Sequence, residues 1–452
     1  MRALVLLAVY AASIFHLSAV RKTMVQIAST MNTSRIDVGF KQMVGPVGYR
    51  RSVQIDVVRA CAILLVMGAH LRFTEPDGIM GSIAWAWHEW GGFGVPLFFT
   101  LSGYLVYGIL LVENRNSGTI DVSRFLIRRS LKIWPAYFVF VTYLVAMPLL
   151  KGTATLSSVM SDYWPNVLFL NNYVGPNPAL HTWSLAVEEQ FYLLLAAFLV
   201  AFVRMGKASW IAPLFLLAPL IWSAFRAICA LAGDPYLFDP TMPATHLWLD
   251  GLLVGAGVRA ISESNPGMFA KLCAWRWPLV IGGIALMASL VAPWPNLNDV
   301  SLYRILPVRA LASTFILIGM LHLSMTTWLH AMAARIGRYS YSIYLWHVTV
   351  LGITYRLFSP SLEAGNAMHW LAAVGGSVVA AILFGALMSR LIEWPVIKIR
   401  DRIFPSRAQE SEPSALSGRW RSPARGLASR WAKEPDSARM PNESWLSLRP
   451  RL

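Results

Sequence analysis

The sequence predicts an all-α membrane protein of about ten transmembrane helices, with both termini in the cytoplasm. Three observations predict it. The 452 residues are 56% hydrophobic and 14% charged, with a mean hydropathy of +0.51, whereas soluble domains carry about 25% charged residues. Apolar runs long enough to cross ~30 Å of hydrocarbon recur along the chain. Basic and acidic segments alternate between those runs, as the positive-inside rule requires of a serpentine chain. The 19 Trp and 15 Tyr suit the membrane–water interfaces, where an amphipathic ring finds both of its preferred surroundings. The net charge of +16 then belongs to cytoplasmic loops and not to a nucleic-acid surface.

Residues 1–50 read as an N-terminal extension. Within it, 3–20 are apolar, bounded by Arg2 and by Arg21 and Lys22. Three readings fit this run: an extra apolar helix, a signal peptide, or sequence upstream of the true start. The lack of a clear small-residue cleavage site weighs against the signal peptide. The first secure span is 53–71, followed by a loop over 72–90 that holds Glu75, Asp77, His88 and Glu89. Further spans are expected over 91–112, 133–150, 184–203, 209–231, 245–258, 278–292, 307–327, 341–358 and 371–392. Lysine and arginine collect before 53, in 113–132, at Arg204 and Lys207, around Arg259 to Arg276, at Arg335 and Arg338, and after Lys398. The intervening loops hold Asp234, Asp239, Asp299 and Glu363. The transmembrane domain is therefore expected over 51–400. Residues 401–452, rich in Ser, Pro and Arg, read as a disordered basic cytoplasmic tail.

The span 53–71 carries Asp56, Arg59 and His70 where a membrane helix should carry no charge. Eleven positions at ~100° each bring His70 back to the side of Arg59, ~16 Å along the axis. Asp56, one turn before Arg59, shares that side. One explanation is a polar channel lined by this face. The other is that Asp56 and Arg59 form a cytoplasmic flank, paired and snorkelling. His70 stands apart from that alternative, because neutral imidazole is a competent general base near neutral pH.

The stretch H-T-W-S-L-A-V-E-E-Q-F-Y-L opens the span at 184. Ser184 is a candidate cap, and Glu188 and Tyr192 share a face. The topology puts Glu188 within about one turn of the depth of His70, so the two could form an acid–base pair. A favourable charge near a helix N-terminus explains Glu188 equally well, and explains Glu189 better. At the opposite membrane face, Arg124, Arg128, Arg129 and Lys132 cluster where the third span begins. Arg128 and Arg129 each share a face with Lys132. The cluster is either a topology signal or a phosphate site, since guanidinium groups clamp phosphate oxygens. Ser102 and Gly103 in F-F-T-L-S-G-Y-L read as a close helix contact or a polar lining. Cys61, Cys229 and Cys273 form no C-x-x-C pair, so neither a disulfide framework nor a metal site is expected. There is no P-loop. The same polar features would also suit a transporter of protons or a small solute.

The motifs together resemble a known family. Arg59-x10-His70, F-F-T-L-S-G-Y-L, R-R-S-L-K-I-W-P-A-Y, T-W-S-L-A-V-E-E-Q-F-Y-L, T-H-L-W-L-D-G-L-L-V-G, R-Y-S-Y-S-I-Y-L-W-H and I-E-W-P-V occur in the order seen in the acyltransferase 3 family. These are integral-membrane O-acyltransferases of bacterial surface polysaccharides. The resemblance covers about residues 51–400. It implies transfer of an acyl group, usually acetyl, from cytoplasmic acyl-CoA to a hydroxyl of a cell-surface or periplasmic glycan or glycolipid, in the bacterial cytoplasmic membrane. By resemblance, His70 matches the family's essential histidine, Arg59 its paired arginine and Glu188 its motif glutamate. Arg129 and Lys132 fall on the element linked to acyl-CoA, with Arg128 beside them. Lys132 replaces an arginine there, keeping the charge and losing the bidentate fork. Trp248 stands where relatives often carry arginine. No soluble esterase-like domain of the kind found in one branch is expected after residue 400.

Overall fold

The computed structural model describes residues 52–71, 78–175, 178–233, 243–291, 302–358 and 367–405. These lie within one compact unit, 1–409. The N-terminal extension with its apolar run, and the tail beyond 405, lie outside the described residues. Among the described residues the fold is helical throughout, without a strand.

Among the described residues, a helix occupies each of the apolar runs. They are α1 (Val53–Ala69), α2 (Ile79–Gly91), α3 (Gly94–Ser117), α4 (Val122–Leu150), α5 (Leu156–Val167), α6 (Trp183–Arg204), α7 (Ile211–Leu216), α8 (Ala218–Ala232), α9 (Thr245–Ser264), α10 (Pro266–Ala274), α11 (Arg276–Val291), α12 (Leu302–Leu321), α13 (Trp328–Arg338), α14 (Ser340–Phe358), α15 (Ala367–Met388) and α16 (Trp394–Ile403). A π-helical turn, Ser389–Glu393, joins the last two. Among the described residues, four helical stretches are long and apolar enough to cross a membrane: Ile79–Ser117, Val122–Leu150, Leu180–Arg204 and Met368–Ile403. Six are reached if the pairs α7–α8 and α10–α11, bent by 64° and 70°, each count as one span. The helix α1 has 17 residues and carries Asp56 and Arg59.

The structure departs from the sequence reading in two segments near the site. Residues 79–91 form the helix α2 and not a loop. His88 and Glu89 made this stretch look polar, yet Trp87 donates its indole N–H to the Leu64 carbonyl at 3.0 Å and fastens α2 to α1. The helix α6 starts at Trp183, so Ser184 lies inside its first turn and does not cap it. Glu188 and Glu189 then sit in the second turn, past the reach of a simple N-terminal charge effect.

Close backbone approach sets the core. A Cβ on Gly103 would overlap the Leu252 carbonyl, and one on Gly255 would overlap the Thr100 carbonyl. These two glycines let α3 and α9 cross at van der Waals range, as small residues do between membrane helices. One buried ion pair braces the bundle: Arg226, fully buried, donates to Asp250 at 2.9 Å and to the Leu247 carbonyl at 2.8 Å. The turn after α5 holds Phe169 at φ 54°, a conformation rare for a bulky residue. Phe169 is kept there by stacking on Tyr137, centroids 4.5 Å apart. This turn starts the descent of the chain to His181 and α6.

Candidate active site

A chamber of about 810 Å³ lies between α1, α3, α4, α6, α14 and α16, within the range of small-molecule sites. Five of the six expected site residues line it, namely Arg59, Arg128, Arg129, Lys132 and Glu188. Asp56 joins them and pairs with Arg59 at 3.9 Å. The α1 face therefore does look into a polar space. The α4 cluster opens into the same space from the other side, because Arg128, Arg129 and Lys132 cover one side of that helix.

Glu188 sits in a web of polar contacts. Tyr192, one turn on, donates its hydroxyl to the Glu188 carboxylate at 2.8 Å. Having donated, the Tyr192 oxygen accepts from Ser102 at 3.0 Å. The Arg129 guanidinium lies over the Tyr192 ring at 4.8 Å, a cation–π contact. Ser102 therefore lines the chamber while its neighbour Gly103 packs on α9, so both sequence readings of this dipeptide hold, one for each residue. Glu189 points away from the web, where Trp134 donates to it at 3.1 Å.

The rim of the chamber is cationic. Arg400 and Asp401 of α16 belong to the lining, together with Arg124, Arg259 and Arg338. The Asp401 carboxylate accepts from Arg400 at 2.7 Å and from Arg128 at 3.2 Å. Arg124 donates to the Pro405 carbonyl. Two buried guanidinium N–H groups, Arg128 Nη1 and Arg129 Nε, find no hydrogen-bond partner among the described residues. Buried donors on charged groups are costly to leave unmade, so the wall is suited to an anionic guest. At the π turn, Glu393 also lines the chamber. It accepts from Ser342 at 2.9 Å and Ser389 at 2.8 Å.

The deep end is closed by Ser184 and Tyr344, both in the lining, which share a hydrogen bond of 2.6 Å. Tyr344 donates in turn to the His181 carbonyl at 2.5 Å. Behind this barrier lie three imidazoles. His70 follows the last turn of α1 as its C-cap, and it lies outside the chamber lining. Its ring centroid is 5.0 Å from that of His347 and 6.5 Å from that of His181, and His347 and His181 are 5.3 Å apart. The structure thus places His70 with two other histidines, and Glu188 in the chamber wall with Tyr192.

No metal-binding group of three or more His, Cys, Asp or Glu occurs among the described residues.

The sequence matches the acyltransferase domain family over residues 52–386. The chain belongs to that family. It is 26% identical over 392 residues to the peptidoglycan O-acetyltransferase OatA of Listeria monocytogenes, covering 76% of this chain and 55% of the relative. It is 25% identical over 365 residues to YrhL, a putative peptidoglycan O-acetyltransferase of Bacillus subtilis, covering 76% of this chain and 54% of the relative. A putative O-acetyltransferase of Staphylococcus aureus is 25% identical over 384 residues, covering 76% of this chain and 57% of the relative. The chain thus spans about half the length of these relatives. No solved structure matches it.

In this member of the family, several wall and barrier residues escape the sequence reading. His181, His347 and Glu393 each lie in or beside one of the motifs above, which assign no role to that side chain, and Arg400 and Asp401 follow the last motif. Only the third dimension brings 70, 181 and 347 together. A usable signal was nonetheless there for His181 and His347: both are imidazoles next to membrane-length apolar runs, where an ionisable group points to function.

Proposed function

We propose that this protein is a membrane O-acyltransferase that carries an acyl group, in the first instance acetyl, from cytoplasmic acyl-CoA to a hydroxyl of a cell-surface or periplasmic glycan or glycolipid. One observation carries this reading: a cation-walled chamber ends one hydrogen-bonded pair of side chains away from a histidine cluster. A donor with a polyanionic head and a long thin arm suits that shape. The donor phosphates would be held by Arg128, Arg129 and Lys132, where guanidinium N–H groups lack partners. The arm would extend past Asp56, Arg59 and Glu188 toward Tyr344. Its thioester would then stand at the Ser184–Tyr344 pair and meet the imidazole of His70 once that hydrogen bond opens.

His70 would take the proton of the acceptor hydroxyl, or carry the acyl group itself. Both roles need a neutral ring. The hydroxyl oxygen attacks the acyl carbon, the carbon–sulfur bond breaks, and the proton ends on the departing thiol. Glu188 would counter the charge on the cations beside it as the donor head is drawn in, and hold Tyr192 in place. Arg59, paired to Asp56, would guide the arm. Of the relatives, OatA is named for transfer to peptidoglycan, and a glycan acceptor is proposed here by that analogy. About ten spans, both termini in the cytoplasm and residence in the bacterial cytoplasmic membrane complete the proposal. The α4 and α16 ends of the chamber then face the cytoplasm, in accord with the basic loops.

Mass spectrometry of the surface glycans and glycolipids tests this. A deletion strain is compared with the same strain restored by wild type or by His70→Ala. Loss of one acetyl mass per modified sugar, restored by wild type alone, is the expected result. An unchanged profile across all strains would overturn the glycan acceptor.

A further inference from the structure

His347 is a buried imidazole that this scheme leaves idle. It lies on α14, one turn after Tyr344, and is fully buried. Its Nδ1 lies 2.6 Å from the Tyr344 carbonyl. A carbonyl only accepts, so Nδ1 carries the proton and Nε2 of the neutral ring bears the lone pair. That Nε2 has no hydrogen-bond partner among the described residues. The other two rings are fixed by the same logic. His70 Nδ1 donates to the Val66 carbonyl at 2.9 Å, which leaves its Nε2 as the basic nitrogen. His181 Nε2 donates to the Leu345 carbonyl at 3.1 Å, which leaves its Nδ1.

Each of the three rings is therefore tied by one N–H to the backbone, and in the neutral form its other nitrogen carries a lone pair. Their mutual spacing of 5.0 to 6.5 Å means that a charge on one ring opposes a charge on the next. The cluster can hold one positive charge and not three. Among the described residues, the groups that face His347 are His70 from the end of α1, His181 from the turn before α6 and Tyr344 from its own helix, while Glu188 is turned to Tyr192. Whichever role His70 plays, it becomes cationic: an imidazolium as a base, an acyl-imidazolium as a carrier. A cation formed there needs a polar neighbour that is already in place.

We propose that His347 is a positioning residue for acyl transfer, whose unpartnered Nε2 stabilises the positive charge that His70 acquires and holds the His70 ring across from it. The inference rests on the His70 reading above. When the acceptor O–H bond breaks, His70 gains the proton and the charge. The His347 lone pair offsets that charge until the thiolate, released as the carbon–sulfur bond breaks, takes the proton back. No other reactant is needed, and His347 touches neither donor nor acceptor.

The test uses membrane vesicles from the native cell, carrying the full chain and its own glycans, with release of free thiol from acetyl-CoA as the readout. Four proteins are compared: wild type, His70→Ala, His347→Asn and His347→Gln. Asparagine keeps a donor at the place of Nδ1 and so keeps the tie to the Tyr344 carbonyl, but it has nothing at Nε2. Glutamine places an amide oxygen near the position of Nε2. The expected result is a fall in kcat of about tenfold or more for His347→Asn, with an unchanged KM for acetyl-CoA and wild-type protein levels. His347→Gln should recover a large part of that loss. Wild-type kcat in His347→Asn would overturn the proposal. So would equal losses in both variants together with a changed KM, since a structural brace behaves in that way. Activity in His70→Ala would overturn the His70 reading itself, a result separate from both His347 outcomes.

Discussion

The chamber and the histidine cluster are neighbours built on opposite principles. The chamber is lined by opposing charges, and its rim reaches solvent at Asp401, whose side chain is 48% exposed. Its buried guanidinium groups keep N–H bonds unmade. In the cluster every ring is tied to a main-chain carbonyl. Charged walls with spare donors suit capture of a mobile anion. Rings locked by the backbone suit a chemical step that tolerates little movement. The hydrogen-bonded pair Ser184–Tyr344 divides the two. Under the proposed function, the difference separates binding from chemistry, so substitutions in the two regions should affect different kinetic constants.

The strongest challenge to that division is His70→Ala. It should lower transfer by about 100-fold or more, as loss of a general base does, while binding of acetyl-CoA stays intact when measured by calorimetry. A comparable loss of binding would merge the two regions. Next comes the double variant Arg128→Ala/Arg129→Ala. Charge-assisted hydrogen bonds contribute about 1.5–3 kcal/mol each, so the loss of two should raise KM for acetyl-CoA about 100-fold or more with kcat near wild type. A fall in kcat at saturating donor would place these arginines in the chemistry. Glu188→Gln sharpens the boundary, because Glu188 stands in the wall and faces the deep end. It should lower kcat about tenfold in the thiol-release assay, and a change confined to KM would assign Glu188 to donor capture alone. The smallest effect belongs to Asp401→Asn. Its carboxylate now occupies Arg128 and Arg400, so removing the charge should lower KM about two- to fivefold at low salt and less at high salt. A KM that rises would make Asp401 a support for the arginines and not a competitor for their ligand.

The helices were legible because apolar length and breaks in polarity are local properties. The basic cluster and the charged face of α1 were legible for the same reason, since helical periodicity alone puts Asp56 beside Arg59 and Arg129 beside Lys132. What periodicity could not supply is where a helix stops. Sequence geometry carried His70 along the face of Arg59, but α1 ends at Ala69 and His70, as its cap, joins the other two histidines. Ser184 shows the same failure from the other side: it looked like a cap, and α6 begins one residue earlier, which turns it to Tyr344. The α2 helix was missed because its two polar residues hid an indole anchored to a neighbouring backbone. Contacts such as His347 against His70, or Glu393 against Ser342, join residues far apart in the chain, and no local pattern encodes them.

The most direct test of the central claim is donor binding by the purified full-length protein. Acetyl-CoA is titrated calorimetrically into wild type and into Arg128→Ala/Arg129→Ala, with 3′-dephospho-CoA as a second ligand. Saturable binding by wild type, weakened by loss of the 3′-phosphate and weakened further in the double variant, is the expected result. Equal binding by both proteins, or no binding by wild type, would contradict the assignment of the chamber to acyl-CoA.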